Sequence, residues 1–109
     1  MPSAEPEKPA TVEVLFAESG SYDDYRARLC EVYESVETAK AEAERRNALI
    51  PPAREQLRAA WDLPSEKFDL TQKREKRILS KLRRKTSDPD IESHDVGDLT
   101  YTVTEARLV

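Results

Sequence analysis

The chain has 109 residues, a net charge of −4 with 37% of its residues charged, one cysteine and one histidine. That length accommodates one domain of the usual ~100 to 150 residues and no second core. With Cys30 and His94 as its only thiol and imidazole, one chain builds neither an internal disulfide nor a Cys/His zinc site, and neither metal nor cofactor is expected.

Leu, Ile, Val and Phe number 22 of 109, near the floor of about 20% below which highly charged chains stay unfolded. A thin core under a heavily solvated surface follows. No window reaches the roughly 18 apolar residues of a membrane span, and the first residues contain no apolar signal core. A cytoplasmic protein that does not engage membranes is therefore expected. Residues 1–10, rich in proline and charge, read as a disordered tail.

Val12, Val14 and Phe16 alternate along Thr11–Glu18, with Leu15 on the other side, which predicts a central strand with both faces at least partly covered. Ser19-Gly20-Ser21-Tyr22-Asp23-Asp24-Tyr25 then forms a hairpin turn, because Gly20 permits positive φ and the serines and aspartates bond their own backbone. The second strand, Arg26–Glu34, is ambiguous in phase. Ala27, Leu29 and Tyr33 fall on one side, and Arg28, Cys30, Val32 and Glu34 on the other. It is assigned to the sheet edge.

Ser35 is a helix N-cap with Glu37 in the first turn, and Val36, Ala39, Ala43 and Asn47 follow at helical spacing. Ile50-Pro51-Pro52 predicts a break, since proline lacks the interior donor and forces its predecessor out of the helical region. A second helix over 52–62 carries Ala53, Leu57, Ala60 and Trp61 on one face, and Leu63-Pro64-Ser65 ends it. A third, over 70–85 with Asp69 and Gln72 as a capping box, carries Thr71, Glu75, Ile78 and Leu82. After the stop at Thr86-Ser87-Asp88-Pro89-Asp90, Leu99–Val109 returns as a strand.

These elements predict a single α+β domain over 11–109. Its three-stranded antiparallel or mixed sheet has the order 2-1-3, with one packing helix and an inserted pair of helices, about 51–90, before the last strand. The turn Ser19 to Tyr25, the segment Val32-Tyr33-Glu34-Ser35-Val36-Glu37-Thr38-Ala39 and the closing strand Tyr101–Leu108 resemble small phage and prophage proteins of unknown function. Those share a Ser-Gly-x-Tyr-Ser/Asp-Asp-Tyr hairpin. The resemblance implies a ββαβ core and a phage-encoded origin, hence a host cytoplasm, but no activity.

Charge is segregated. From Thr71 to Lys85 eight basic residues stand against Glu75 alone, a net +7 that leaves −11 on the rest of the chain. Arg74, Arg77, Lys81 and Arg84 occupy one broad face of this helix and would hold an acidic protein partner, with Trp61 and Leu57 as apolar anchors. The alternative is a nucleic-acid interface on the basic helix 71–85, against which stand a sequence pI near 5.1 and the absence of aromatics within the basic run. The carboxylates downstream, from Asp88 to Asp98, would neutralise the helix if they folded back on it. Tyr22, Asp23, Asp24 and Tyr25 offer oxygens to a cation, but with Gly20 they are read as turn residues, since turn aspartates satisfy their own backbone.

No nucleophile can be placed beside His94, and with Gly20 and Gly97 as the only glycines no phosphate-binding loop exists. The expectation is a non-enzymatic accessory protein that binds or inhibits a host factor. The unpaired edge of the second strand also invites a homodimer.

Overall fold

The structure, a computed structural model, describes residues 11–20 and 22–107. The tail expected over 1–10, Ser21 of the turn, and Leu108 and Val109 of the last expected strand lie outside them. Among the described residues the chain is α+β, with strands β1 (Thr11–Ser19), β2 (Arg26–Tyr33) and β3 (Thr100–Arg107) and helices α1 (Val36–Trp61) and α2 (Phe68–Thr86). The sheet has the order β2-β1-β3 and is antiparallel throughout, as expected.

Gly20 turns the hairpin at φ +83°, and a Cβ there would lie 2.1 Å from the Asp24 carbonyl oxygen. Only glycine fits this position. A 3-10 turn over Tyr22–Asp24 completes the connection.

Between Leu15 and Phe16 the β1–β2 register slips: Leu15 faces Glu31 and Phe16 faces Leu29, leaving Cys30 as the extra residue of a β-bulge. The bulge explains the ambiguous phase of β2, because it moves every later side chain to the opposite face. Leu29 and Val32 therefore share one side, with Val14 and Phe16, while Arg28, Glu31 and Tyr33 lie opposite with Ala17, Leu15 and Glu13. Only that second side receives the helices. Leu15 and Ala17 enter the contiguous core with Ile50, Ala53 and Leu57 of α1, Leu79 and Leu82 of α2, and Ile91, Val96, Leu99 and Tyr101.

The sequence-predicted break at Pro51-Pro52 does not occur. One helix runs from Val36 to Trp61 through both prolines, so the packing helix and the first inserted helix are a single rod. Its buried residues, Ala39, Ala43, Arg46, Ile50, Ala53, Leu57 and Ala60, alternate by four and three and keep one seam on the core across the prolines. Pro51 and Pro52 face solvent, as does Ala48, whose carbonyl together with that of Asn47 loses its helical donor. Continuous burial on one side outweighs two missing hydrogen bonds on the other.

Ser35 caps α1 as expected, its Oγ accepting from the Thr38 amide at 3.3 Å. Asp69 is not a cap: α2 begins at Phe68 and places Asp69 within its first turn, where the helix dipole favours a carboxylate. The far end of α2 closes on Ser87 in the left-handed region (φ 57°), with the Asp88 amide donating to the Arg83 carbonyl at 3.1 Å. Asn47 joins α1 to β3: its Oδ1 accepts from the Tyr101 amide (2.7 Å) and its Nδ2 donates to the Tyr101 carbonyl (2.9 Å), as a neighbouring strand would.

Because the proline rings stabilise nothing visible in the fold, the double substitution Pro51→Ala/Pro52→Ala is expected to stabilise the protein. Two restored helical donors outweigh the freedom gained by the unfolded chain, for a net gain of about 1–3 kcal/mol. Urea unfolding followed by circular dichroism reads the sign; a lower midpoint would mean that the prolines hold the helix direction.

Candidate functional site

α2 has two faces of opposite character. Thr71, Glu75, Ile78, Leu79, Leu82 and Thr86 turn toward α1 and are buried or half-buried. Leu70, Arg74, Arg77, Lys81 and Arg84, also spaced by four and three, form a stripe on the other side, and all five are exposed. At 1.5 Å per residue the stripe is about 21 Å long. Lys73, Lys76 and Lys85 are exposed beside it. Arg83 alone turns inward, its Nε donating to the Ile91 carbonyl at 2.7 Å and so anchoring the following loop.

Among the described residues none of the eight cations of α2 lies in an ion pair. The carboxylates that would neutralise them are engaged elsewhere. Asp88 takes both guanidinium nitrogens of Arg28 at 2.6 and 2.9 Å, and Asp90 lies 3.8 Å from Arg28. Asp95 accepts from the Ser19 hydroxyl (3.0 Å) and lies 3.7 Å from Arg26, while Asp98 accepts from the Gly20 amide (2.9 Å). Glu42 and Glu31 hold Arg46, and Glu55 pairs with Arg58. Glu75, the one carboxylate between the basic residues of α2, accepts from the Trp61 indole at 2.8 Å. The acidic loop is thus directed at the β2 arginines and the hairpin turn, not at α2.

Two buried networks fix the platform beneath the stripe. Asp88, at the C-terminal end of α2, also accepts from the Tyr101 hydroxyl at 2.6 Å, joining β2, α2 and β3 at one carboxylate. Burial alone would raise the Asp88 carboxyl, but Arg28 and Tyr101 overcome it and leave it below its ordinary range. The Tyr101 phenol is driven far up, first by burial and then by Asp88.

The second network centres on Arg46, 1% exposed in the α1 seam. Its Nε donates to Glu42 (2.8 Å), its Nη2 lies 3.1 Å from Glu31, and its guanidinium stacks 5.5 Å from the Tyr101 ring centre. Hydrogen bonding from Arg45 first, supported by Arg46 against the burial penalty, pulls the Glu42 carboxyl down to about 2.

The structure brings together Arg74, Arg77, Lys81 and Arg84 as expected. Leu57 is not an anchor: it is 1% exposed and belongs to the core, because the unbroken α1 carries it into the seam. Trp61 is 50% exposed, but its bond to Glu75 ties it to the seam side of α2 rather than to the arginine stripe. The apolar residue that heads the stripe is Leu70, which its four-residue spacing from Arg74 could have revealed. Gly20 and the backbone of Tyr22 and Asp24 form the turn, and the Tyr25 hydroxyl donates to Glu18.

His94 lies exposed beside Arg26 and Asp95. No group of three or more His, Cys, Asp or Glu side chains among the described residues could hold a metal ion, and no helix there is long and apolar enough to cross a membrane. Compared with models of protein families, with curated proteins and with solved structures, the chain matches none.

Asp88 and Glu42 are both held below their ordinary range in the folded state, Glu42 at about 2, so their stabilisation is complete above the ordinary carboxylate range near pH 4 and is lost as pH falls through the folded values. Asp88→Asn is expected to cost about 2–3 kcal/mol at neutral pH, below the loss from a fully buried pair because Arg28 stays partly in water. It also flattens the decline in acid. Urea midpoints from neutral to acidic pH measure both, and an equally steep acid limb in the variant would assign that limb to other carboxylates.

Proposed function

We propose that this chain is a non-enzymatic interaction module that docks an acidic surface of another protein along the α2 stripe Leu70, Arg74, Arg77, Lys81 and Arg84. One observation carries the reading: none of the α2 cations is paired with a carboxylate among the described residues, although the chain as a whole is acidic. Cations left free on a rigid helix steer and orient an oppositely charged partner without first breaking internal pairs. Leu70 supplies an apolar contact within the charged rows, and a groove of about 170 Å³ beside α2, lined by Leu49, Pro52, Ala53 and Ile78 with Lys81 and Lys85 at its rim, supplies another. The resemblance of the hairpin to phage-encoded proteins makes a host factor the first partner to seek, and its binding or inhibition the role of the module.

A nucleic-acid interface is the second reading, favoured by the same free cations, since four of them in one row could follow a phosphate backbone. Against it, the stripe contains no aromatic side chain for base stacking.

Fluorescence anisotropy with a labelled poly-glutamate peptide and a random-sequence duplex separates the two. The charge reversal Arg77→Glu/Arg84→Glu is expected to weaken peptide binding about tenfold or more without altering the unfolding midpoint. Tighter binding to the duplex, falling with salt at a log–log slope of about −3 to −4 for four phosphate contacts, would transfer the stripe to nucleic acid. No difference between wild type and variant on either probe would leave it a solvated surface.

A further inference from the structure

α1 and α2 run antiparallel, since the Arg45 side chain reaches the Lys85 carbonyl at 2.6 Å and the Trp61 indole reaches Glu75 at 2.8 Å. The seam between them has two flanks. The loop after α2 closes one: Arg54 and Arg83 donate to its Val96 and Ile91 carbonyls at 3.2 and 2.7 Å, and Ile91 and Val96 enter the core. Among the described residues the other flank is open. It holds the groove of about 170 Å³, with Leu49, Pro52, Ala53 and Gln56 as its α1 wall. Ile78, Lys81, Leu82 and Lys85 form its α2 wall. Both walls follow the spacing i, i+3, i+4, i+7, so they are two helical rails of equal length, about 10 Å. Ala53 and Leu82 are buried and make the floor, whereas Pro52, Gln56, Lys81 and Lys85 stand exposed at the rim.

We infer that the segment of the partner docked here is an acidic amphipathic helix, lying in this groove as a third helix with its carboxylates toward Lys81 and Lys85. The inference rests on the proposed docking of an acidic protein by α2 and specifies the shape that is bound. Two antiparallel rails of matching spacing receive the apolar ridge of a third helix, one of its side chains seated on the Ala53 and Leu82 floor. Charge fixes which way that helix is turned. The α2 rail carries two lysines that join no ion pair among the described residues, and the α1 rail is neutral. The acidic flank of the occupant therefore faces α2, and an uncharged flank faces Pro52 and Gln56.

The prolines supply an independent reason. Pro51 and Pro52 cost α1 two hydrogen bonds and return nothing to the fold, and violations of this kind concentrate at functional sites. Pro52 belongs to the groove wall. Beside it the exposed Ala48 has a carbonyl without its helical donor, open to a donor of the incoming chain. A contact of one heptad is smaller than a standard interface, so the groove selects the shape of the partner while the stripe steers it.

Fluorescence anisotropy of the full chain with two labelled peptides of about 14 residues tests the inference. One has leucines at helical spacing with glutamates along one flank, and the other is a scramble of the same composition. The periodic peptide is expected to bind about tenfold tighter or more, and to gain helical circular dichroism on binding. Pro52→Glu/Gln56→Glu acidifies the neutral rail at two exposed positions. It is expected to weaken the periodic peptide about tenfold while poly-glutamate, held on the stripe, changes by less than about twofold. If thermal unfolding shows that this variant does not fold, Lys85→Glu, at the rim but outside the stripe, must produce the same selective loss.

Equal binding of the periodic and scrambled peptides, both weakened by Arg77→Glu/Arg84→Glu, would overturn the groove and leave the stripe standing. Failure of every acidic peptide to bind would overturn both. A bound peptide that gains no helix, or a lysine version of the periodic peptide that binds as tightly, would overturn the acidic third helix.

Discussion

The carboxylate of Asp88 sits where three elements meet, and the arrangement of charge in the rest of the molecule depends on it. It accepts from Arg28 of β2 and Tyr101 of β3 directly beyond the left-handed turn that ends α2. A buried carboxylate is tolerable only when its lone pairs are filled, and here a bidentate guanidinium and a phenol fill them. The first acidic residue of the segment that follows is thereby committed to the sheet, and that segment meets α2 through the Ile91 carbonyl on Arg83, not through a carboxylate. Asp90, Asp95 and Asp98 continue in the same direction, toward Arg28, Arg26 and the Gly20 amide. The separation of +7 from −11 along the chain thereby becomes a separation in space.

Much of the fold was legible because local signals and global topology agreed. Gly20 marked the turn, Ser35 the cap, and the alternating apolar positions of β1 and β3 the central strand and its distant partner. The failures have physical causes. Proline chemistry predicts a break, but it cannot weigh a seam of buried residues that continues at the right spacing on both sides of Pro51-Pro52. A bulge at Cys30 leaves no trace in composition, yet it decides that Val32 shares a face with Leu29. Arg46, whose i,i+4 spacing from Glu42 is that of an ordinary surface pair, is buried in the α1 seam, since only the tertiary structure supplies Glu31 and the Tyr101 ring around it.

The candidate site was legible in its charges and not in its apolar part. Arg74, Arg77, Lys81 and Arg84 are spaced so that any helix through them aligns them, whatever lies around it. Which apolar residue accompanies them depends on where the helix begins and how α1 ends. An unbroken α1 buries Leu57 and leaves Trp61 against Glu75, and a start at Phe68 brings Leu70 to the head of the stripe.

The central strand lies near one end of the chain and one of its neighbours near the other, so that Thr11 pairs with Arg107 and Glu18 with Thr100. Closing so long a loop costs conformational entropy before the pairing rewards it. Until then the Tyr101 ring is missing from beneath Arg46, and Asp88 lacks its phenol. Tyr101 supplies both the ring beneath Arg46 and the phenol on Asp88, so the docking of β3 completes the two polar networks at one stroke.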